Sequence, residues 1–257
     1  MINYSFNIDD DGIGFLILNR KPVNALSQKF ILQLTEFFSK IALNEDIKAL
    51  VICSSNNHFS AGADLKERSC LPIEKVEIAV SNIGACFNEL QSLPFPTISC
   101  INGSALGGGL ELAISCDFRV AEESAVLGFP ECSLGIIPGA GGTQRLPRLI
   151  GLSRAKYWIF TAQRFSAKKA LLDGVVDFVT NDGNALEESV NLAKKITLNS
   201  PLSLRVSKYA IDKGSSLSLN SGLIVEKKAY EETLKSTDRI EALNAFNEKR
   251  KPKWSGK

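Results

Sequence analysis

The chain has 257 residues, 44% of them hydrophobic and 23% charged, and its 30 Lys/Arg against 28 Asp/Glu leave a formal net charge of +2. That balance supports a substantial core in one or two domains, and it excludes the strongly basic footprint of a nucleic-acid binder and an acidic interaction tail. A single histidine, His58, rules out a multi-histidine metal site and leaves acid–base chemistry to carboxylates unless that one residue serves.

The N-terminal stretch MINYSFNIDDDG has no basic n-region and no long apolar run, and no segment has transmembrane length. A cytoplasmic protein without a membrane partner is expected. YSFNI and GIGFLILN flank an acidic turn and predict a β-hairpin. The polar loop NRKPVNALS follows. Apolar residues Phe30, Ile31, Leu34, Phe37, Phe38 and Ile41 then recur at helical spacing over 28–43, with Ser27 as N-cap. KALVICSS (48–55) reads as a buried strand leading into the loop NNHFSAGAD. Residues 74–92 predict a helix ended before Pro94 and Pro96. TISCI (97–101) predicts a strand, and GSALGGGLELAISCD opens a helix over about 107–116. FRVA and AVLGF are short strands. Beyond residue 150 the segments 153–163, 166–174, 184–198, 201–213, 216–235 and 238–249 all read as helices. Strand and helix alternate in the first part, which points to an α/β fold with largely parallel pairing and a helical C-terminal part. The expected division is a core over 1–195 and a helical region over 196–257. The six cysteines are scattered without a CxxC and read as reduced, mostly buried thiols.

Two glycine-bearing loops, HFSAGAD (58–64) and NGSALGGG (102–109), each follow a predicted strand, where open α/β sheets bind ligands. Neither matches a P-loop or a GxGxxG dinucleotide motif. The second opens a helix, so its first amides are unpaired and favour an anion or a developing oxyanion at Gly107–Gly109. Tight helix–strand packing is the other reading of the same glycines. Glu111 lies three residues after Gly108 and so shares its helix face, among apolar neighbours that would raise its pKa. Glu131, in GFPECSLGIIPGAGG, is a second candidate. Neither glutamate has a basic residue within four positions. His58 precedes the AGAD loop as a substrate contact or a locally bonded loop histidine.

NRKPVNALS, HFSAGADLKE, INGSALGGGLELAISCD, GFPECSLGIIPGAGGTQRLPRLIG and AFNEKRKPKW together resemble the enoyl-CoA hydratase/isomerase (crotonase) family, in order and in register over nearly the whole chain. The wording AGADLKER, GGGLELA and GGTQRLPR is most similar to the hydratases, including those acting on branched acyl groups such as methylglutaconyl-CoA. The resemblance implies a spiral of ββα turns and hydration of a 2-trans-enoyl-CoA to the 3-hydroxyacyl-CoA. A double-bond isomerase of the same family is the alternative. The family resemblance implies Glu111 and Glu131 as the catalytic pair, which favours hydration, and the N–H groups of Ala63 and Gly108 as holders of the thioester oxygen. It also implies CoA contacts from Pro22, Val23, Ala61, Ala63, Asp64, Leu65, Lys66, Gly108, Phe246 and Lys249. No cofactor or metal is implied, because CoA is part of the substrate, and the usual assembly is a trimer or a dimer of trimers. A nucleic-acid role is not expected, since the helix over 28–43 carries only Lys29 and Lys40.

Overall fold

The structure, a computed structural model, describes residues 2–257. β1 (Tyr4–Ile8) and β2 (Ile13–Leu18) pair antiparallel across the acidic turn, where Asp9 Oδ1 accepts the N–H groups of Asp11 and Ile13 at 3.0 and 2.8 Å. The hairpin is fixed by that carboxylate, an Asx-type closure. α1 (Gln28–Ile41) begins at Ser27, whose Oγ accepts the Phe30 N–H, and it buries the six apolar residues that the helical spacing picks out.

The chain then runs through β3 (Ala49–Ser54), α2 (Leu65–Ser69), α3 (Ile73–Gln91), β4 (Thr97–Ile101), β5 (Ala105–Leu106) and α4 (Gly108–Ala113). β6 (Phe118–Glu122), β7 (Val126–Gly128), a 3-10 turn at Pro130–Leu134, α5 (Gly142–Ile150) and α6 (Leu152–Phe160) follow. β8 (Arg164–Ser166), α7 (Ala167–Asp173), β9 (Phe178–Thr180) and four helices, α8 (Ala185–Thr197), α9 (Pro201–Gly214), α10 (Leu219–Leu234) and α11 (Thr237–Asn247), complete it.

The large sheet has the order β1-β2-β3-β4-β6-β9 and is parallel beyond the hairpin. A second layer contains β5-β7-β8 and is extended by single bridges between Ser60 and Ala105 and between Leu26 and Ala63. Successive passes of the chain therefore place one strand in the large sheet, then a short extended piece in the second layer, then a helix. The path is a spiral. The central strands ALVICS and TISCI are mostly apolar and almost wholly buried because both sheet faces are covered. One face packs on α1 and α3 through residues such as Phe38, Ile52, Phe87 and Leu90. The other packs on α8, where Val51, Ile98 and Val120 meet Ala185 and Ala193. The expected boundary at 195/196 falls in the last turn of α8, which is built into the sheet. α9 is tied to the sheet by Lys208, whose Nζ bonds Asp117 at 2.7 Å and the Phe95 carbonyl at 3.1 Å.

Several elements differ from the sequence-based expectation. α4 stops at Ala113, before the expected 116, because the chain tightens into short turns that bring Asp117 to the Thr97 N–H and hydroxyl. α2, β5, α5, β8 and β9 were not predicted. Among the described residues no helix is long and apolar enough to cross a membrane. All six cysteines are free, with Cys53, Cys86, Cys100 and Cys116 buried and Cys70 and Cys132 exposed.

Two helix glycines allow a test of opposite sign. A Cβ at Gly109 would lie 2.2 Å from the Ser60 carbonyl oxygen, whereas one at Gly84 finds its nearest neighbour at 3.8 Å. Gly109→Ala is expected to cost about 1–3 kcal/mol through overpacking against backbone. Gly84→Ala in α3 is expected to be neutral or to stabilise by up to about 1 kcal/mol. Denaturant unfolding of the two variants measures both.

Candidate active site

The second layer brings the two glycine loops together. The Leu26 N–H donates to the Gly62 carbonyl and the Asp64 N–H to the Leu26 carbonyl, while the Ser60 N–H donates to the Ser104 carbonyl and the Leu106 N–H to the Ser60 carbonyl. With these neighbours paired, the N–H groups of Ala63 and Gly108 have no acceptor among the described residues. Gly108 is the first residue of α4, where an amide has no intrahelical partner. A Cβ at Gly108 would stand 3.5 Å from the Ala63 nitrogen, so the space between the two amides is open because residue 108 has no side chain. Gly107 turns the chain into the helix with φ +51°, and a Cβ there would stand 2.7 Å from a Glu131 carboxylate oxygen.

Glu111 sits on α4 and is 3% exposed. Its Oε1 accepts the N–H groups of Ala140 and Gly142, both at 2.8 Å, from the loop that enters α5. Burial raises its pKa, against the pull of those two bonds and of the Arg145 and Arg68 charges. Glu131 lies in the 3-10 turn and is 8% exposed, and its buried Oε2 has no hydrogen-bond partner. Burial pushes its pKa up to about 7. Its own backbone N–H and Arg68 oppose the rise, and the Glu111 charge adds to it. Burial raises both carboxyls of the cavity, and hydrogen bonding distinguishes them: Glu111 accepts two amide donors that favour its charge, while Glu131 has an oxygen without a donor.

Both glutamates, Ala63 and Gly108 line a cavity of about 510 Å³ whose other walls are largely apolar. Ala61 and Leu65 also line it. Asp64 does not; it caps α2 and pairs with Arg20 at 2.6 Å. Lys66 is exposed on α2, outside the lining. Pro22 and Val23 lie beside the first loop, where the Val23 carbonyl accepts the Ala61 N–H at 2.9 Å. Phe246, 82% exposed near the end of α11, and Lys249 just beyond it are not part of the cavity wall. The chain after them folds back: Arg250 pairs with Glu241, and the Trp254 indole N–H donates to the Leu198 carbonyl. His58 is also outside the lining; its carbonyl accepts bonds from Asn24 and Ser54, and its buried Nδ1 has no partner. Among the described residues no group of three His, Cys, Asp or Glu is placed to hold a metal ion.

Sequence reasoning missed the Ala140 and Gly142 amides and the two arginines, Arg68 and Arg145. The available signals were the GAGG turn itself and the arginine closing AGADLKER.

A family model described as Enoyl-CoA hydratase/isomerase matches residues 9–257. The chain is 45% identical over 253 residues to YngF of Bacillus subtilis (strain 168), covering 98% of this chain and 97% of that protein. It is 41% identical over 254 residues to the human mitochondrial methylglutaconyl-CoA hydratase, covering 96% of this chain and 75% of that one. In three dimensions it is similar to a crystal structure of an enoyl-CoA hydratase from Bacillus anthracis, with TM-score 0.97, 43% identity, and coverage of 99% of this chain and all of the other.

The raised Glu131 pKa has a readable signature. In protein carrying ¹³C-labelled glutamate carboxyls, one resonance should titrate with a midpoint near pH 7 and vanish in Glu131→Gln. Because the folded state holds this proton more tightly than the unfolded chain, the Glu131 contribution lowers stability as pH rises from about 4.3 through about 7. Glu131→Gln should flatten that decline.

Proposed function

The chain belongs to the enoyl-CoA hydratase/isomerase family, and from that premise we propose that it adds water to a 2-trans-enoyl-CoA to give the 3-hydroxyacyl-CoA. The observation that carries this reading is the unequal carboxyl pair facing one cavity beside two amides without acceptors.

The thioester oxygen sits between the N–H groups of Ala63 and Gly108, which receive negative charge as it develops. Glu111, acting in the carboxylate form that the Ala140 and Gly142 N–H groups favour, orients a water and takes its proton as the oxygen bonds to C3. The C2–C3 π pair moves toward the thioester, forming an enolate. Glu131, protonated near neutrality, then gives its proton to C2. One proton has passed from water to Glu111 and another from Glu131 to C2, and exchange with solvent resets the pair. CoA enters as part of the substrate, and the step needs no redox or metal cofactor. Two carboxyls, one acting as base and the other as acid, suit addition of water, whereas moving a double bond needs one acid–base group.

Pro22, Val23 and the stretch Ala61, Asp64, Leu65 and Lys66 are assigned to the CoA side of the site. Phe246 and Lys249 lie off the cavity in the single chain, so their CoA contact is assigned to an assembled trimer or dimer of trimers. The apolar residues exposed on α10 and α11, among them Leu219, Ile224, Tyr230, Ile240 and Leu243, support such an assembly.

Glu111→Gln and Glu131→Gln are each expected to slow hydration of crotonyl-CoA by about 10²–10⁴-fold, while binding of a saturated acyl-CoA persists. Turnover at the unmodified rate in both variants contradicts the reading, and fast shift of a 3-enoyl-CoA with no hydration of the 2-enoyl-CoA decides for an isomerase. In wild-type enzyme kcat/KM should fall as pH rises through about 7, as Glu131 loses its proton. Light scattering on the eluting protein should give the mass of three or six chains.

A further inference from the structure

The turn that holds Glu111 is itself held, by a residue the reaction above does not use. Ala140 and Gly142 give their N–H groups to Glu111 Oε1, both at 2.8 Å. Those two N–H groups belong to the first and third of three consecutive peptide groups. The middle one carries the Ala140 carbonyl, and that oxygen accepts Nη1 of Arg145 at 2.9 Å. The guanidinium can lie there because residue 141 is glycine: a Cβ at Gly141 would stand 1.9 Å from Nη1. The other guanidinium nitrogens reach α3, with Nε on Gln91 Oε1 at 2.8 Å and Nη2 on Asn88 Oδ1 at 2.6 Å. The Arg145 backbone N–H donates to the Gly141 carbonyl at 2.8 Å, on the third peptide group.

A planar guanidinium can join three acceptors on two elements in fixed geometry, and an ammonium cannot. All three acceptors are neutral, so the hydrogen bonds leave the Arg145 charge uncancelled, and it favours the Glu111 carboxylate. Burial lowers the Arg145 pKa, and the Glu111 charge opposes that. The other charges around Glu111 come from α2 and the 3-10 turn. Arg68 acts on it in the same sense as Arg145, and Glu131 is the second carboxyl of the cavity, raised in part by the Glu111 charge. α3 presents only neutral Asn88 and Gln91 to Arg145, and apolar Val76, Val80 and Ile83 to the cavity.

We propose that Arg145 is a positioning residue for Glu111: it fastens the turn over 139–142 to α3 so that both N–H groups meet the carboxylate, and it lends that carboxylate a positive charge. This rests on the hydratase reading for the role of Glu111 as base, but not for the hold on its carboxyl. Arg145 acts through the turn and touches no reacting atom.

The acidic limb of the kcat–pH profile with crotonyl-CoA reports the base in the substrate complex. Arg145→Gln should move that limb to higher pH by about one unit, the low end of what a nearby opposite charge produces. Arg145→Lys keeps the charge but cannot join the three acceptors, so it should move the limb part of the way, and it carries the test alone should Arg145→Gln not fold. Arg148→Gln removes a charge three residues further along α5, from a side chain that bonds only Gln144, and should leave the limb in place. A second readout needs no turnover. In Glu131→Gln protein with ¹³C-labelled glutamate carboxyls, the resonance that Glu111→Gln removes should titrate at higher pH once Arg145→Gln is added. The Ala140 and Gly142 amide protons should move upfield as their bonds to the carboxylate loosen.

An unmoved Glu111 titration in Arg145→Gln overturns the proposal. So does a wild-type profile in Arg145→Lys with the Ala140 and Gly142 amides unshifted, which would leave a charge effect and no positioning. An equal shift in Arg148→Gln overturns it as well, because any charge on the helix would then serve. A Glu111 titration that moves as expected in a protein that hydrates no 2-enoyl-CoA would instead remove the hydratase reading and leave the hold of Arg145 on Glu111 standing.

Discussion

Everything at this site depends on two backbone segments touching where side chains are absent. A Cβ at Gly62 would stand 2.6 Å from the Leu106 carbonyl oxygen and 3.0 Å from the Gly108 nitrogen, and one at Gly109 would strike the Ser60 carbonyl. No side chain fits in this contact. Its neighbours are stitched together by the second layer of the spiral, through the Ser60–Ala105 and Leu26–Ala63 bridges. The Asp64 N–H goes to the Leu26 carbonyl and the Gly107 N–H to the Gly128 carbonyl, while Ala63 and Gly108, whose N–H groups have no acceptor among the described residues, line the cavity. Such donors are costly to leave unpaired inside a protein, so their persistence makes sense as preorganisation for an oxygen that arrives with the substrate.

The same contact fixes the acids. Gly107 carries Glu131 against its Cα, and Glu111 rises from the turn of helix that Gly108 begins. Their chemical difference comes from elsewhere in the chain. The turn before α5 supplies two amides to Glu111, while the 3-10 turn gives Glu131 Oε2 no donor. Two residues of one type, both raised by burial, are thereby set apart by the donors each one meets.

Much of this was legible in the sequence, and the reasons are specific. α1 announced itself because a capping serine precedes six apolar residues at one spacing, all six of which are buried. The glycine loops and glutamates were legible because glycine triplets and isolated carboxylates in apolar text are costly unless they do something. What escaped was short or distant. β5 has two residues and β8 three, too few for any periodicity to register. α5 contains Pro147 and begins on glycines, so its text reads as a loop. The donors to Glu111 lie 29 and 31 positions away, and no local pattern points to them. Arg145 stood in plain view in GGTQRLPR, but only the fold shows that it reaches back to the Ala140 carbonyl.

In the hydratase reading proposed above, the amides of Ala63 and Gly108 polarise a bound thioester carbonyl. The effect can be measured on that bond. In an infrared difference spectrum of 2-enoyl-CoA labelled with ¹³C at the thioester carbon, the carbonyl stretch should move to lower frequency on binding. The shift should remain in Glu111→Gln and Glu131→Gln, which stop the reaction without touching the two donors. A bound carbonyl that absorbs where it does in water, or higher, would contradict the assignment.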